Sequence, residues 1–161
     1  MTRKAFTVDE ANALVPELAR VFEAIGEQRV RISATARRIE VLELLWGNAM
    51  RDTSNPDHAE FLSHRTTIEE AMSRIATTVD EGIRARGLRL PAGGLEEGLV
   101  DFPTLYRGRW IYLCWHVGES ELTHWHETHE GFRGRHRITN EQRREMGRGD
   151  ATSVDDSALD F

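Results

Sequence analysis

Residues 14–46 read LVPELARVFEAIGEQRVRISATARRIEVLELLW, and the spacing of their apolar side chains decides the first half of the fold. Positions 14, 18, 21, 25, 28, 32, 35, 39, 42 and 46 alternate steps of four and three, and eight of these ten are apolar, Gln28 and Thr35 being the exceptions. Side chains at those separations leave a helix on one side. The pattern therefore predicts one helix of roughly 38 residues whose seam must be covered by a helical partner. Upstream, Phe6-Thr7-Val8-Asp9-Glu10 opens it: Thr7 can cap, Glu10 stands at N3 to complete a capping box, and Phe6 can cover the first turn. Pro16 can bend the first turns, and Gly26 lowers local helix propensity without removing the seam.

Working outward toward the carboxyl end, Ser54-Asn55-Pro56-Asp57 supplies a second start, with Asn55 as cap and Pro56 at the first helical position. Phe61, Ile68, Met72, Ile75, Val79 and Ile83 make the apolar line of this helix, and Gly87 marks its end. The connection from Gly47 to Ser54 is short, so the two helices are expected to pack antiparallel as a hairpin over 8–86. His58 and His64 lie near the junction, where His64 can pair with Glu60; both read as structural or solvated. Met50 and Met72 lack any special spacing with other sulfur ligands and read as ordinary sulfur side chains.

After Gly87 the helical period stops. Leu88, Leu90 and Gly93-Gly94 suggest a short strand or turn, and Leu99-Val100-Asp101-Phe102 an edge strand ended by Pro103. Tyr106-Arg107-Gly108-Arg109 then turns into Trp110-Ile111-Tyr112-Leu113-Cys114-Trp115-His116-Val117, whose aromatic and β-branched density is the strongest strand signal in the chain. Gly118-Glu119-Ser120-Glu121 can return it to Leu122-Thr123-His124-Trp125-His126. The fold class is thus α+β: a long antiparallel helical hairpin packed with a small antiparallel β-meander over 88–127, in one domain covering 1–140. From 141 to 161 the hydrophobic density falls and Asp155, Asp156 and Asp160 accumulate, which reads as a flexible acidic tail that Phe161 can anchor.

The chain of 161 residues is 39% hydrophobic and 30% charged, as an ordinary water-soluble protein is. Its apolar runs fall far below the roughly 20 residues needed to cross a bilayer. No signal peptide is recognisable, and Cys114 is the sole cysteine, which suits a reducing compartment; the expected location is cytoplasmic, with no membrane partner. A formal charge of −6 offers no general field for a phosphate backbone, so no nucleic-acid partner is expected. The six arginines between Arg133 and Arg148 are accompanied by Glu141 and Glu145 and read as a solvated surface, with local anion contact the alternative.

The combination of Leu99-Val100-Asp101-Phe102-Pro103, Tyr112-Leu113-Cys114-Trp115, Gly118-Glu119, Trp125-His126-Glu127 and Gly131-Phe132-Arg133-Gly134-Arg135 resembles a bacterial family known as domain of unknown function 2203. The opening from Phe6 to Pro16 and the helical half resemble it too, so the likeness runs over roughly residues 5 to 137. No reaction comes with the resemblance. Position 116 is usually basic in that family, 124 aromatic and 129 acidic; here all three are histidine, so nitrogen ligands are enriched relative to the family pattern.

Five of the seven histidines lie from 116 to 136, beside the sole cysteine. Cys114, His116, His124 and His126, with Glu119 or His129 as substitutes, offer thiolate, imidazole and carboxylate donors suited to Fe(II), Cu(I) or Zn(II). Strand alternation puts Cys114 and His116 on one face and His124 and His126 together on one face of the next strand. If Cys114 opposes His126 and His116 opposes His124, the four form a compact patch; if Cys114 opposes Trp125, both downstream histidines turn to the other face. Without a metal, the aromatic side chains and Cys114 make a sheet core and the histidines its polar rim. His126-Glu127-Thr128-His129 lacks the spacing of the zinc-hydrolase helix, and no dinucleotide or phosphate-binding loop is present. A Cys114 nucleophile activated by His116 or His126, with Glu119 or Glu127 orienting the imidazole, is a further alternative. The expectation is a structural or interaction protein carrying a Cys/His transition-metal site, able to form a homodimer or bind a protein partner. The competing reading is a metal-dependent enzyme, oxygen-using if a coordination position stays open.

Overall fold

Thr7 and Glu10 close the expected capping box: the Thr7 N–H donates to Glu10 Oε2 at 2.9 Å and the Glu10 N–H to Thr7 Oγ1 at 3.1 Å. Helix α1 then runs Val8–Trp46, and a computed structural model describes residues 3–160 of the chain, leaving the Phe161 anchor outside the described residues. Phe6 is buried edge-on against Phe102, with ring centroids 5.5 Å apart. A Thr7→Ala change is expected to cost about 1 kcal/mol through the lost cap, read by urea denaturation. The Thr7 N–H also holds the Glu10 carboxyl below its ordinary value of 4.5. Because the folded value is depressed, this contribution is present above pH 4.5 and is lost as pH falls through the lower folded value. An acid titration in which Glu10→Gln is as acid-sensitive as wild type would contradict that assignment.

The chain divides into two compact units, one of residues 1–22 with 80–161 and one of residues 23–79. The second unit holds the remainder of α1, a 3₁₀ turn Gly47–Arg51 and most of helix α2, His58–Gly82. Its small core joins Leu42, Met50 and Phe61, with Ile39 packed against them. Ile25, Thr35 and Leu42 of the expected seam are buried; Thr35 satisfies its hydroxyl by donating to the Arg31 carbonyl at 2.8 Å. Trp46 instead sits half out of the protein, its indole donating to Asp57 at 2.8 Å. Asn55 does receive the Asp57 N–H at 2.8 Å, although α2 proper begins at His58. Met72 is exposed and Ala71 takes the buried place on that turn. The buried and half-buried positions of α2 include Phe61, His64, Ile68, Ala71, Ile75, Thr78 and Val79, a side centred nearer 71 than 72, and Met72 lies about 100° round the helix from Ala71 toward the exposed side. His58 Nδ1 meets the Met50 carbonyl and His64 pairs with Glu60.

In the first unit a four-stranded antiparallel sheet has the order β1-β2-β3-β4, with β1 Leu99–Tyr106, β2 Arg109–His116, β3 His124–Glu127 and β4 His136–Arg137. One face carries Val100, Phe102, Ile111, Leu113, Trp115 and Trp125 and packs on Val8, Ala11, Val15 and Leu18 of α1, together with Ile83 and Leu88. This is the α+β hairpin-and-meander architecture read from the sequence. The chain leaves α2 through a 3₁₀ turn Arg84–Arg86, and Gly87 at φ 76° ends it. A short α3, Gly94–Glu97, leads into β1.

Pro103 does not end β1; the strand continues to Tyr106. Its carbonyl accepts the Phe6 N–H at 2.8 Å, so the backbone polar groups of this edge residue point away from β2 and the missing N–H removes no ladder bond. After β4 come α4, Asn140–Glu145, and a 3₁₀ turn Ala151–Ser153. Low hydrophobic density hid two buried positions here: Met146 joins the main core, and Leu159 packs with Leu105, Trp110 and Tyr112 on the opposite face of the sheet. No helix among the described residues is long and apolar enough to cross a membrane.

Candidate functional site

Alternation along β2 puts Trp110, Tyr112, Cys114 and His116 on the sheet face away from the main core. Across β1, Asp101 opposes Cys114; across β3, Cys114 opposes His124 and Tyr112 opposes His126. Neither register considered from the sequence is adopted. The observed pairing is displaced by two residues from the one that opposes Cys114 to His126, so both histidines keep the Cys114 face, but the directly facing pairs change.

Three of these side chains converge. Asp101, Cys114 and His126 are buried and their donor atoms all lie within 4.8 Å of one another. Among the described residues this is the one such group of three or more His, Cys, Asp or Glu side chains. His126 Nε2 stands 3.1 Å from Asp101 Oδ1, and His126 Nδ1 lies 2.8 Å from the Glu127 carbonyl. Arg89 donates to the other Asp101 oxygen at 3.1 Å. Arg89 also exchanges both backbone hydrogen bonds with Asp101, each 2.9 Å, so the carboxylate is held on its main-chain and side-chain sides alike. The triad forms the floor of a cleft of about 430 Å³ whose walls include Pro91, Glu97, Leu99, Glu130, Phe132 and Arg133.

The electrostatics follow from burial. Burial, aided by the Asp101 charge, pushes the Cys114 thiol up to about 12, so it is a protonated thiol at neutral pH. A buried thiol in that state does not suit the nucleophile considered above. For His126, burial alone lowers the basicity, but the hydrogen bond and charge of Asp101 outweigh it and the group titrates above its ordinary 6.5.

Of the other sequence candidates, Glu119 is occupied as a turn carboxylate, accepting the His116 N–H at 3.0 Å and Arg135 at 2.9 Å. His116 packs on Phe132, with centroids 5.5 Å apart. His124 Nδ1 meets Thr123 Oγ1 at 2.9 Å, and burial followed by the Arg135 charge lowers its basicity. His129 is exposed. Cys114 and His126 are thus brought together, while His116, His124, Glu119 and His129 stand outside the group. The sequence reading missed Asp101 as a donor. Its signal was a lone carboxylate between Val100 and Phe102 in an apolar strand, and the two-residue Arg107-Gly108 loop that sets it opposite Cys114.

Fold and site together define an α+β protein with a buried Asp/Cys/His group able to coordinate a metal. The chain belongs to the family described as uncharacterized conserved protein DUF2203, whose pattern matches residues 4–138. No curated protein and no solved structure matches it.

Proposed function

We propose that Asp101, Cys114 and His126 are the protein ligands of a Zn(II) centre whose remaining coordination position opens to the cleft. One observation carries this reading. The Glu127 carbonyl can only accept, so His126 Nδ1 bears a hydrogen and Nε2 is left facing a carboxylate oxygen at 3.1 Å. A bare lone pair against that oxygen would be repulsive; a cation must lie between them. In the metal-free protein the cation is a proton, and a metal ion is its natural replacement. Metal-ligating histidines ordinarily donate their second nitrogen to a carbonyl, as His126 does, and ligating carboxylates are themselves hydrogen-bonded, as Asp101 is by Arg89. Tetrahedral donors at metal bonds of about 2.0–2.2 Å lie roughly 3.3–3.6 Å apart, close to the observed nitrogen–oxygen spacing.

The donor set chooses the ion. A single imidazole does not make the two-histidine facial triad of oxygen-using Fe(II) sites, and a hard carboxylate is wasted on Cu(I). Carboxylate, thiolate and imidazole together suit Zn(II), which in a three-ligand site acidifies bound water and polarises carbonyl groups. Metal analysis of protein purified without affinity tag or chelator, repeated after anaerobic reconstitution with iron, copper and zinc, tests the reading. Near-stoichiometric zinc is expected, lost in Cys114→Ser and His126→Ala and kept in His116→Ala and His129→Ala. Arg89→Gln should weaken binding by about 10–100-fold. Zinc retained by folded Cys114→Ser, or none bound by folded wild type, would remove the centre.

A separate observation favours self-association. In the second unit Val30, Val41, Leu44 and Leu45 form an exposed apolar stripe on α1, Leu44 being 88% exposed. We infer that a second copy covers it: antiparallel pairing about Arg37 sets Val30 opposite Leu44 at both ends of the stripe, at the cost of bringing two Arg37 side chains together. Mass measured at several concentrations should show a dimer that Leu44→Glu disperses; a monomer at every concentration contradicts this.

A further inference from the structure

The charged side chains of the cleft are not equally free to meet a ligand. Arg89 is committed to Asp101 and to Asp160, whose carboxylate lies 3.5 Å away. Glu130 accepts the Glu127 N–H at 3.3 Å and faces His136 at 3.6 Å. Arg133 and Glu97 line the same cleft from two separate segments, the turn Phe132–Gly134 and α3. Neither side chain makes a hydrogen bond or ion pair with another described residue. After internal pairing, one guanidinium and one carboxylate remain for a ligand.

The same lining includes the apolar side chains Pro91, Leu99 and Phe132. Phe132 is 40% exposed yet held in place, with the Arg135 guanidinium 4.2 Å from its ring centre and His116 packed on it. The triad adds no net charge when loaded, because a divalent ion is balanced by the Asp101 carboxylate and the Cys114 thiolate it requires. A purely anionic ligand would meet Glu97 and Glu130, and a purely cationic one Arg133. A molecule bearing both charges on an apolar body answers all three features, and the cleft of about 430 Å³ falls within the range of small-molecule sites.

We infer that this cleft binds a small zwitterion, an apolar α-amino acid or the like, with its carboxylate on Arg133 and its ammonium on Glu97. The inference deepens the metal reading, which it uses only for the charge balance of the floor. The test is calorimetric titration of the full chain, zinc-loaded and metal-free, with L-leucine, 4-methylpentanoate and 3-methylbutylamine. These three share a branched apolar chain and differ in which charges they carry. Leucine should bind at least about tenfold tighter than either single-charge analogue, and Arg133→Gln or Glu97→Gln should each erase about tenfold, one charge-assisted contact's worth. Both side chains are exposed, so the variants should keep the wild-type circular dichroism spectrum. Equal binding of leucine and an analogue, no binding of leucine at millimolar concentration, or indifference to both substitutions would overturn the inference. Zinc binding without leucine binding would sink it and leave the metal centre standing; leucine binding by a chain that takes up no zinc would do the reverse.

Discussion

Asp101→Ala should lower the stability of the metal-free protein by about 3–5 kcal/mol, the penalty for breaking a buried charged pair from one side. Asp101 is fully buried, and it is the shared acceptor for the Arg89 guanidinium and His126 Nε2. Its removal leaves Arg89 with the exposed Asp160 carboxylate at 3.5 Å and leaves His126 without an acceptor on that nitrogen. Urea denaturation in excess chelator isolates this effect from any metal contribution. Asp101→Asn keeps the shape and one acceptor and should cost less. Adding Arg89→Met to Asp101→Ala should recover part of the loss, because the uncompensated charge goes with it; a coupling of about 0.5–3 kcal/mol is expected from the double-mutant cycle. A loss below about 1 kcal/mol for Asp101→Ala would mean that water already serves these groups, against their burial at the foot of the cleft.

Gly147→Ala is expected to be comparably damaging, about 4 kcal/mol, for a reason unrelated to charge. Gly147 has φ 77° and donates its N–H to the Leu105 carbonyl at 2.9 Å. A Cβ there would collide with the Phe6 carbonyl and the Thr7 nitrogen. Those atoms cannot retreat cheaply, since Phe6 is hydrogen-bonded to Pro103 and Thr7 opens the cap of α1. The control is Gly108→Ala, at φ 75° with open space around the added carbon, which should cost only about 1 kcal/mol of backbone strain. Equal midpoints for the two variants would show that the segment after α4 does not pack against Phe6 and Thr7.

The parts of this architecture that were legible in the sequence are those specified within a turn or two of chain. The cap at Thr7 and Glu10, the seam of α1 and the stop at Gly87 each depend on neighbours three or four residues away, so their side chains carry the signal directly. Arg107 at φ 51° and Gly108 at φ 75° likewise pin the β1–β2 register through a two-residue loop. Met72 shows the limit even at short range: apolar character did not distinguish it from Ala71, whose place on the helix faces inward.

The candidate site belongs to the other kind of information. The sequence by itself determined that Cys114 shares a strand face with His116 and that a histidine-rich strand follows, because alternation is a local property. Which histidine reaches the thiol depends on the β2–β3 register, and the segment from Val117 to Thr123 is too long for turn geometry to set it. Tertiary structure decided it: His126 approaches Cys114 on the diagonal, His124 turns to Thr123, and Asp101 enters from β1 under the hold of Arg89. It also decided that Leu159 covers Tyr112 while the neighbouring part of the same face lines a cleft. Donors from three strands meet only after long-range pairing has closed, and no local pattern encodes the distance between them.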